Sequence, residues 1–198
     1  MRIVLCILLA YLIGSISTST LLTRWLARID IRDHGSGNAG ATNTLRVLGV
    51  KWGLFVLVVD ALKGVVAVEI ARIATGGHLW PMYLAGLAAI VGHNWPVFFG
   101  FRGGKGIATT IGVYLMLFPI PVVLAGIVAL ILILVTRFVS LGALILVILT
   151  PILCGLLGHH WGAVVFTAIV AILSIYRHQE NIVRLVQGKE HRIFSKRI

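Results

Sequence analysis

The chain has 198 residues, of which 59% are hydrophobic and only 12% charged, and its mean hydropathy of +1.04 excludes an ordinary soluble protein. The formal net charge of +11 does not indicate nucleic-acid binding, because most basic residues stand just beyond apolar segments, where membrane proteins carry them. Cys6 and Cys154 lie within apolar runs. They indicate packing residues rather than a disulfide, a redox centre or a metal site.

Seven apolar runs are long enough to be transmembrane helices. The first resembles a signal peptide, but its apolar residues continue to Leu26 and no cleavage site stands out, so a membrane helix is expected. The fourth is short, with an expected rise of about 18 Å, and Pro119 and Pro121 are expected to force the turn after it. The runs are Ile3–Leu26, Trp52–Ala74, Leu79–Phe99, Ile107–Phe118, Val122–Val135, Leu141–Leu157 and Trp161–Tyr176.

The basic residues predict the orientation of these helices. Fourteen of them flank the loops of one side, whereas Arg2 and Arg72 flank the other and Lys63 lies inside a helix. The positive-inside rule therefore predicts an N-terminus outside and a C-terminus in the cytoplasm. We expect an all-α integral membrane protein with seven transmembrane helices in a single domain, 1–198. Three polar segments then share the cytoplasmic face: 34–46, 92–106 and 177–198.

The first polar segment reads H-G-S-G-N-A-G-A-T-N-T-L-R. It contains the spacing G-x-G-x-x-G, but a dinucleotide site needs a preceding β-strand and here a membrane helix precedes, so we reject that interpretation. Its glycines expose backbone N–H groups, and its polar side chains and arginine suit a phosphate. A solvated turn with a helix cap explains the segment equally well. The candidate substrate-binding residues are Ser36, Gly37, Asn38, Gly40, Thr42, Asn43 and Arg46.

The second polar segment reads G-H-N-W-P-V-F-F-G-F-R-G-G-K-G. Glycines around Lys105 let backbone N–H groups approach an oxyanion, and the following helix adds its positive N-terminal end. The spacing is not that of a Walker A loop, which disfavours a nucleotide triphosphatase. Pro96 is expected to kink or end the third helix. The alternatives are an ordinary interhelical turn and, for His93, a structural hydrogen-bonding role.

The third polar segment reads H-Q-E-N-I-V-R-L-V-Q-G-K-E-H-R-I. Helical periodicity places His178 and Asn181 on one face, and Gly188 is a plausible helix stop. A basic amphipathic helix lying on anionic lipid is the alternative. Inside the second predicted helix, Asp60 and Lys63 are spaced to pair, and we expect them to be structural support.

Three motifs in chain order resemble those of the acyl-phosphate:glycerol-3-phosphate acyltransferases, the PlsY family. They are S-G-N-A-G-A-T-N, G-H-N-W-P-V-F-F-G-F-R-G-G-K-G-I-A-T and H-x-E-N-I-x-R-L-x-x-G-x-E, and D-A-L-K-G also looks family-like. The resemblance implies a bacterial inner-membrane enzyme, active at the cytoplasmic face. Its reaction would transfer a fatty acyl group from acyl phosphate to the 1-hydroxyl of glycerol 3-phosphate, giving lysophosphatidic acid and phosphate. The expected partners are those two substrates and membrane lipid, with no metal or cofactor; the oligomeric state is left open.

The expected site draws on all three segments. Lys105 is predicted to stabilise the departing phosphate and the developing oxyanion, and Asn181 to orient the substrate. The hydroxyl proton passes either to His178 or to a substrate phosphate oxygen, and the second route is preferred because His178 has no evident carboxylate orienter in the sequence. The predicted catalytic residues are thus Lys105, His178 and Asn181, and the further substrate-binding residues are His93, Asn94, Arg102, Gly103, Gly104, Ser140, Arg184 and Glu190.

Direct attack is expected, without a covalent acyl-enzyme, because no G-x-S-x-G nucleophile occurs and no histidine is followed at the fifth position by aspartate. A transporter or channel for a phosphorylated small molecule is the alternative from another class. It would need polar residues reaching the outer side, and the fourth to sixth predicted helices carry few. A passive membrane scaffold would have little use for three polar segments on one face.

Overall fold

The computed structural model describes residues 1–193, and every regular element in that range is helical. The apolar composition predicts helices, and the described residues contain no β-strand. Lys196 and Arg197, which enter the orientation argument, lie outside the described residues. The chain divides into two compact units, Met1–Leu117 and Phe118–Ile198.

The first unit is organised around one long helix, α4, which packs against α1, α3, α5 and α6. Close approach depends on small residues: a methyl group on Gly14 of α1 would overlap the backbone of Ala89 in α5, and one on Gly112 of α6 would overlap the backbone of Ala61 in α4. The helices are α1 Arg2–Gly14, α2 Thr18–Ala27, α3 Ala41–Leu48, α4 Val50–Ala74, α5 Leu79–Asn94 and α6 Ile107–Leu117, with short 3-10 turns at Ile31–Asp33 and Val97–Phe99.

The second unit places consecutive helices against each other. Its helices are α7 Pro119–Thr136, α8 Val139–Leu156, α9 Trp161–Arg177 and α10 Gln179–Val186. The last two meet at an angle of 65°, and His178 is the residue between them. The chain leaves α10 through Gly188, which has φ of 67°, while Lys189 N–H donates to the carbonyl of Arg184 at 2.8 Å. The predicted helix stop at Gly188 is confirmed.

All seven predicted runs are helical, and the three largest differences lie at the first, third and fifth runs. The first run is broken at 15–17 into α1 and α2, the third ends at Asn94 because Pro96 follows, and the fifth begins earlier, with Pro119 in its first turn. Among residues 1–193, four helical segments are long and apolar enough to cross a membrane: Arg2–Ala27, Leu79–Phe99, Pro119–Thr136 and Val139–Leu156. The bent pair α9 and α10 raises that number to five if it forms one span.

The two remaining predicted spans fail that criterion for different reasons. Helix α4 has 25 residues but carries charged side chains along its length, and α6 has only 11 residues. Length and apolarity alone therefore do not establish seven spans, and the seven-span topology stays a prediction.

Candidate active site

The first glycine-rich loop is shaped by the side chain of Asn43. Its Oδ1 accepts from the backbone N–H of Ser36 at 2.8 Å, and its Nδ2 donates to the carbonyls of Ile31 at 3.2 Å and His34 at 2.9 Å. Gly35 has φ of 64°, and a side chain there would collide with Asn43 Oδ1. The buried amide therefore closes the loop and leaves Ser36 exposed at its tip. Asn43 stays a predicted substrate-binding residue, and its contacts give it a role in holding the loop.

Helix α3 begins immediately after Gly40 and carries, besides Asn43, two further predicted ligands. Gly40 precedes its first residue, and Thr42 and Arg46 are four residues apart, so they share one face. Both side chains are partly exposed. Thr44, on the opposite side of the helix, is fully buried and its hydroxyl donates to the Gly40 carbonyl at 3.1 Å. The helix thus presents an arginine and a hydroxyl beside the loop while its other face packs inward.

An ion pair between Asp30 and Arg32, just before the first glycine-rich loop, connects that loop to the second one through a hydrogen bond. Arg32 Nε and Nη2 donate to the two oxygens of Asp30 at 2.9 and 2.7 Å, and Arg32 Nη1 donates to the carbonyl of Phe99 in the second loop at 2.7 Å. Arg24 donates to the same carboxylate at 2.8 Å. The Arg32 guanidinium, assisted by Arg24, holds the pKa of the Asp30 carboxyl well below its ordinary value, against the opposing effect of burial.

The sequence does not predict this contact between the loops. From sequence, Arg24 and Arg32 indicate only the orientation of the helices, and Asp30 has no assigned role. The spacing Asp30-x-Arg32 indicates a local ion pair. Nothing in the sequence indicates that the guanidinium also reaches Phe99, because that contact joins residues separated by 67 positions.

We predict that the Asp30–Arg32 ion pair stabilises the folded protein less in acid than at neutral pH. Because the pKa of Asp30 is lower in the folded protein, its contribution to stability is present above the unfolded pKa, about 4, and is lost as pH falls below that value. The melting temperature of the detergent-solubilised protein should therefore fall between about pH 5 and pH 3, and Asp30→Asn should reduce that dependence while lowering the melting temperature at neutral pH. Asp33→Asn, which changes an exposed carboxylate three residues away, is the matched control. Equal pH dependence in the wild type and Asp30→Asn would contradict the prediction.

The second loop folds back onto the end of α5. Gly104 N–H donates to the carbonyl of His93 at 3.1 Å, and a methyl group on Gly104 would overlap His93 Nε2 and lie 2.7 Å from the carbonyl oxygen of Ala39. Gly106, with φ of 77°, stands close to the buried side chain of Asn94. The half-buried Lys105 lies between these two glycines. The predicted residues His93, Asn94 and Gly104 thus come together, and Ala39 brings the first loop to the same place.

Because Gly104 is packed against fixed atoms, we predict that Gly104→Ala displaces the second loop. A displacement of about 1 Å is expected to lower kcat/KM roughly 100-fold, measured as phosphate release in a two-substrate acyl-transfer assay. The matched control is Gly126→Ala, because a methyl group on Gly126 of α7 meets nothing within 4 Å. Activity of Gly104→Ala equal to that of the control would contradict the close packing.

A buried polar cluster lies behind the second loop. Lys63 Nζ is 3.0 Å from Asp60 Oδ1, which confirms the predicted pair, and it also lies 2.9 Å from His93 Nδ1 and donates to the carbonyl of Ile16 at 3.0 Å. Thr18 donates to Asp60 Oδ1 at 2.8 Å. The sequence predicted the ion pair from its helical spacing but gave no sign that His93 belongs to it.

In the second unit, His178 occupies the bend between α9 and α10 and is 3% exposed. Its Nδ1 lies 2.8 Å from the carbonyl oxygen of Ser174. A carbonyl oxygen only accepts hydrogen bonds, so neutral His178 carries its proton on Nδ1 and its lone pair on Nε2. The backbone therefore supplies the orienting group that the sequence did not reveal.

Glu190 joins the tail to α10. Its Oε1 accepts from Asn181 Nδ2 at 2.9 Å and its Oε2 accepts from Arg184 Nε at 3.0 Å, with the carboxylate almost completely buried. Beyond it, Ile193 N–H donates to the carbonyl of Arg137 at 2.8 Å. The predicted residues Asn181, Arg184 and Glu190 are thus one cluster, in which Glu190 holds the other two side chains.

Two predicted ligands, Ser140 and Arg102, belong to none of the clusters described above for their respective units. Ser140 is buried in the first turn of α8, and Arg102 is exposed between Phe101 and Gly103 of the second loop. Within residues 1–193, no group of three or more histidine, cysteine, aspartate or glutamate side chains is arranged to hold a metal ion. The candidate polar groups are the glycine-lined loops with Arg46 and Lys105 in one unit, and an oriented histidine, an amide and an arginine in the other.

Comparison with known sequences covers nearly the whole chain. The sequence profile of the glycerol-3-phosphate acyltransferase family matches residues 4–188. A glycerol-3-phosphate acyltransferase of Halalkalibacterium halodurans is 51% identical over 193 residues, covering 95% of this chain and 94% of the relative. One of Shouchella clausii is 47% identical over 196 residues, covering 96% and 95%.

Comparison with solved structures finds the same fold in a glycerol 3-phosphate acyltransferase. The chain superposes on a crystal structure of PlsY (YgiH), described as an integral membrane glycerol 3-phosphate acyltransferase, in its glycerol 3-phosphate form. The TM-score is 0.92 at 38% identity, covering 98% of this chain and 96% of that one. The lysophosphatidic acid form gives a TM-score of 0.89 at 37% identity, with the same coverage.

Proposed function

The chain belongs to the glycerol-3-phosphate acyltransferase family, and from that membership we propose that it transfers a fatty acyl group from acyl phosphate to the 1-hydroxyl of glycerol 3-phosphate. The products are lysophosphatidic acid and inorganic phosphate. The observation that carries the proposal is the match along 98% of the chain to PlsY crystallised in its glycerol 3-phosphate form. The acceptor and the product correspond to the two crystal forms of that relative, and the acyl phosphate donor follows from the resemblance of the three motifs to the PlsY family.

We propose that the glycine-rich loops of the first unit bind the phosphate groups of the substrates. Three features support this: Asn43 fixes the first loop with Ser36 exposed at its tip, Arg46 lies beside the loop on α3, and Lys105 lies between two tightly packed glycines. Backbone N–H groups of such loops, together with a guanidinium and an ammonium, bind phosphate oxygens. The other residues that stay predicted substrate-binding residues are Gly37, Asn38, Gly40, Thr42, His93, Asn94, Arg102, Gly103, Gly104 and Ser140.

The second unit supplies the remaining groups in this proposal. Arg184 and Asn181, both fixed by Glu190, orient glycerol 3-phosphate, and His178 acts at the reacting hydroxyl. We propose that residues 1–198 act as a single acyltransferase domain with its active site at the cytoplasmic face.

The chemical step in this proposal is direct attack. The 1-hydroxyl oxygen forms a bond to the acyl carbonyl carbon, and the bond from that carbon to the phosphate oxygen breaks. Phosphate leaves with the bonding electron pair, while Lys105 and loop N–H groups stabilise the developing negative charge. The hydroxyl proton passes to His178 Nε2 or to a phosphate oxygen. The Ser174 carbonyl orients the His178 ring, which supports His178 as a candidate acceptor of that proton.

We propose seven transmembrane spans, with the N-terminus outside and the C-terminus in the cytoplasm of a bacterial inner membrane. The distribution of basic residues supports this orientation. Single-cysteine variants treated with a membrane-impermeant thiol reagent test it, in a background from which Cys6 and Cys154 have been removed. Labelling of a cysteine at Gly76 in intact cells, with protection at Gly188, is the expected pattern, and the reverse pattern would overturn the orientation.

The activity itself is tested with purified protein in lipid, acyl phosphate and glycerol 3-phosphate. Stoichiometric release of phosphate and lysophosphatidic acid is the expected result. Uptake of a phosphorylated solute into sealed vesicles without acyl transfer would instead support a transporter. Replacing acyl phosphate with an acyl thioester is the control for the donor, and turnover only with the thioester would overturn that part of the proposal.

A further inference from the structure

Asp60, Lys63 and His93 form a chain of contacts that connects two helices of the first unit with the break between α1 and α2. Lys63 and Asp60 belong to α4, His93 belongs to the last turn of α5, and Ile16 lies in the break between α1 and α2. All three titratable side chains are buried, with residue exposures of 1%, 7% and 7% in chain order. Burying such groups in a membrane protein is costly, so their arrangement requires a functional or structural reason.

The contacts of Lys63 determine the protonation pattern of His93. An ammonium group has three protons and no acceptor, and Lys63 Nζ has three neighbours at hydrogen-bond distance: Asp60 Oδ1, the Ile16 carbonyl and His93 Nδ1. The carboxylate of Asp60 balances the positive charge, and Thr18 donates to the same carboxylate. With Lys63 as a charged ammonium, His93 Nδ1 accepts its hydrogen bond, and the single proton of the neutral ring then lies on Nε2.

His93 Nε2 faces the place where the two glycine-rich loops meet. A methyl group on Gly104 would overlap this nitrogen and would also lie 2.7 Å from the carbonyl oxygen of Ala39. Gly104 N–H in turn donates to the His93 carbonyl. The ring and the backbone of His93 thus both contact the second loop, which carries Lys105. They do so where the second loop approaches Ala39 of the first loop.

We propose that Asp60 and Lys63 are positioning residues for the reaction. They hold His93 as an Nε2–H donor directed at the junction of the two loops, and they thereby fix the spacing of the two phosphate-binding loops. The inference rests on the proposed function for its kinetic consequence, whereas the tautomer of His93 is inferred from its contact with the Lys63 ammonium and does not depend on that function. Neither residue is assigned contact with substrate.

The first test measures the tautomer of His93 by NMR of nitrogen-15 histidine-labelled protein in detergent, with the His93 signals assigned by their absence in His93→Asn. The expected result is a proton on Nε2 and a lone pair on Nδ1 in the wild type, and loss of that preference in Lys63→Met. A wild-type ring protonated on Nδ1 and unprotonated on Nε2 would overturn the proposal whether or not the protein is an acyltransferase.

The second test separates positioning from mere folding. Because Lys63→Met leaves Asp60 as an unpaired buried charge, the double variant Asp60→Asn, Lys63→Met removes both charges together. In folded protein, judged by gel filtration and melting temperature, kcat/KM should fall roughly 10- to 100-fold, mainly through a higher KM for glycerol 3-phosphate. Adding His93→Asn to this variant should cause little further loss, since all three residues act as a unit.

The control for the second test is Glu69→Gln, Arg72→Met, which removes an ion pair of the same spacing from the exposed part of the same helix. Its KM and kcat should equal those of the wild type. A folded Asp60→Asn, Lys63→Met protein with wild-type KM and kcat would overturn the proposal. Absence of acyl transfer by the wild type would refute the proposed function instead, and the NMR result would then decide the protonation pattern separately.

Discussion

Replacing His178 with alanine should lower kcat by about 10²- to 10⁴-fold if its Nε2 takes the hydroxyl proton, the range expected for loss of a general base. The expectation rests on the Ser174 carbonyl, which fixes Nδ1 as the protonated nitrogen and leaves a basic lone pair on Nε2. The measurement is initial-rate kinetics with acyl phosphate saturating and glycerol 3-phosphate varied.

His178→Gln separates the base from a binding group, because glutamine keeps a polar side chain of similar length without a basic nitrogen. If His178 is the base, kcat falls in both variants. If a substrate phosphate oxygen takes the proton, His178→Gln should retain kcat and raise only the KM for glycerol 3-phosphate. His78→Ala, which alters an exposed histidine just before α5, is the control and should match the wild type.

Replacing Lys105 with methionine should lower kcat by about 10²- to 10³-fold, the magnitude expected when a group that stabilises developing charge is removed. Methionine keeps the length and apolar stem of the side chain, so the packing of Gly104 and Gly106 around it is preserved. The KM for both phosphate-bearing substrates should rise as well, because an ammonium that binds departing phosphate also attracts phosphate in the ground state.

The matched control for this variant is Lys51→Met. Lys51 is an exposed lysine near the start of α4, with its ammonium 5.1 Å from the centre of the Trp52 ring. It carries the same charge as Lys105 but belongs to neither loop. An equal fall in kcat for both variants would show that Lys105 acts only through overall charge and would contradict its assigned role.

The helices were predictable because their causes are local. An apolar run for α5 and a helical periodicity for α10, each followed by a proline or glycine, specify where these helices end, and Pro96 and Gly188 do so as predicted. The break at 15–17 was not predictable, because its stabilising partner is distant. The carbonyl of Ile16 accepts from Lys63, 47 residues further along the chain.

The same distinction applies to the candidate site. The glycines, Lys105 and His178 are proposed as site residues from residue type and motif spacing, because phosphate binding and proton transfer need such groups. The groups that hold these residues in place could not be predicted in this way. Asn43 stays a predicted ligand, and its amide also makes hydrogen bonds with three backbone groups in and just before the first loop. The orienting group of His178 is a backbone carbonyl, which no residue type at Ser174 could have indicated.

The break between α1 and α2 has a consequence for biogenesis. Ribosomal synthesis delivers Ile16 to the insertion machinery well before Lys63, so the ammonium that binds its carbonyl is absent when the first hydrophobic segment enters the bilayer. Lipid offers no substitute donor, which favours one uninterrupted helix at that stage. We therefore expect residues 1–27 to insert as one continuous helix. The helix should break at 15–17 only after α4 has inserted, so the N-terminal segment reaches its final conformation late in assembly.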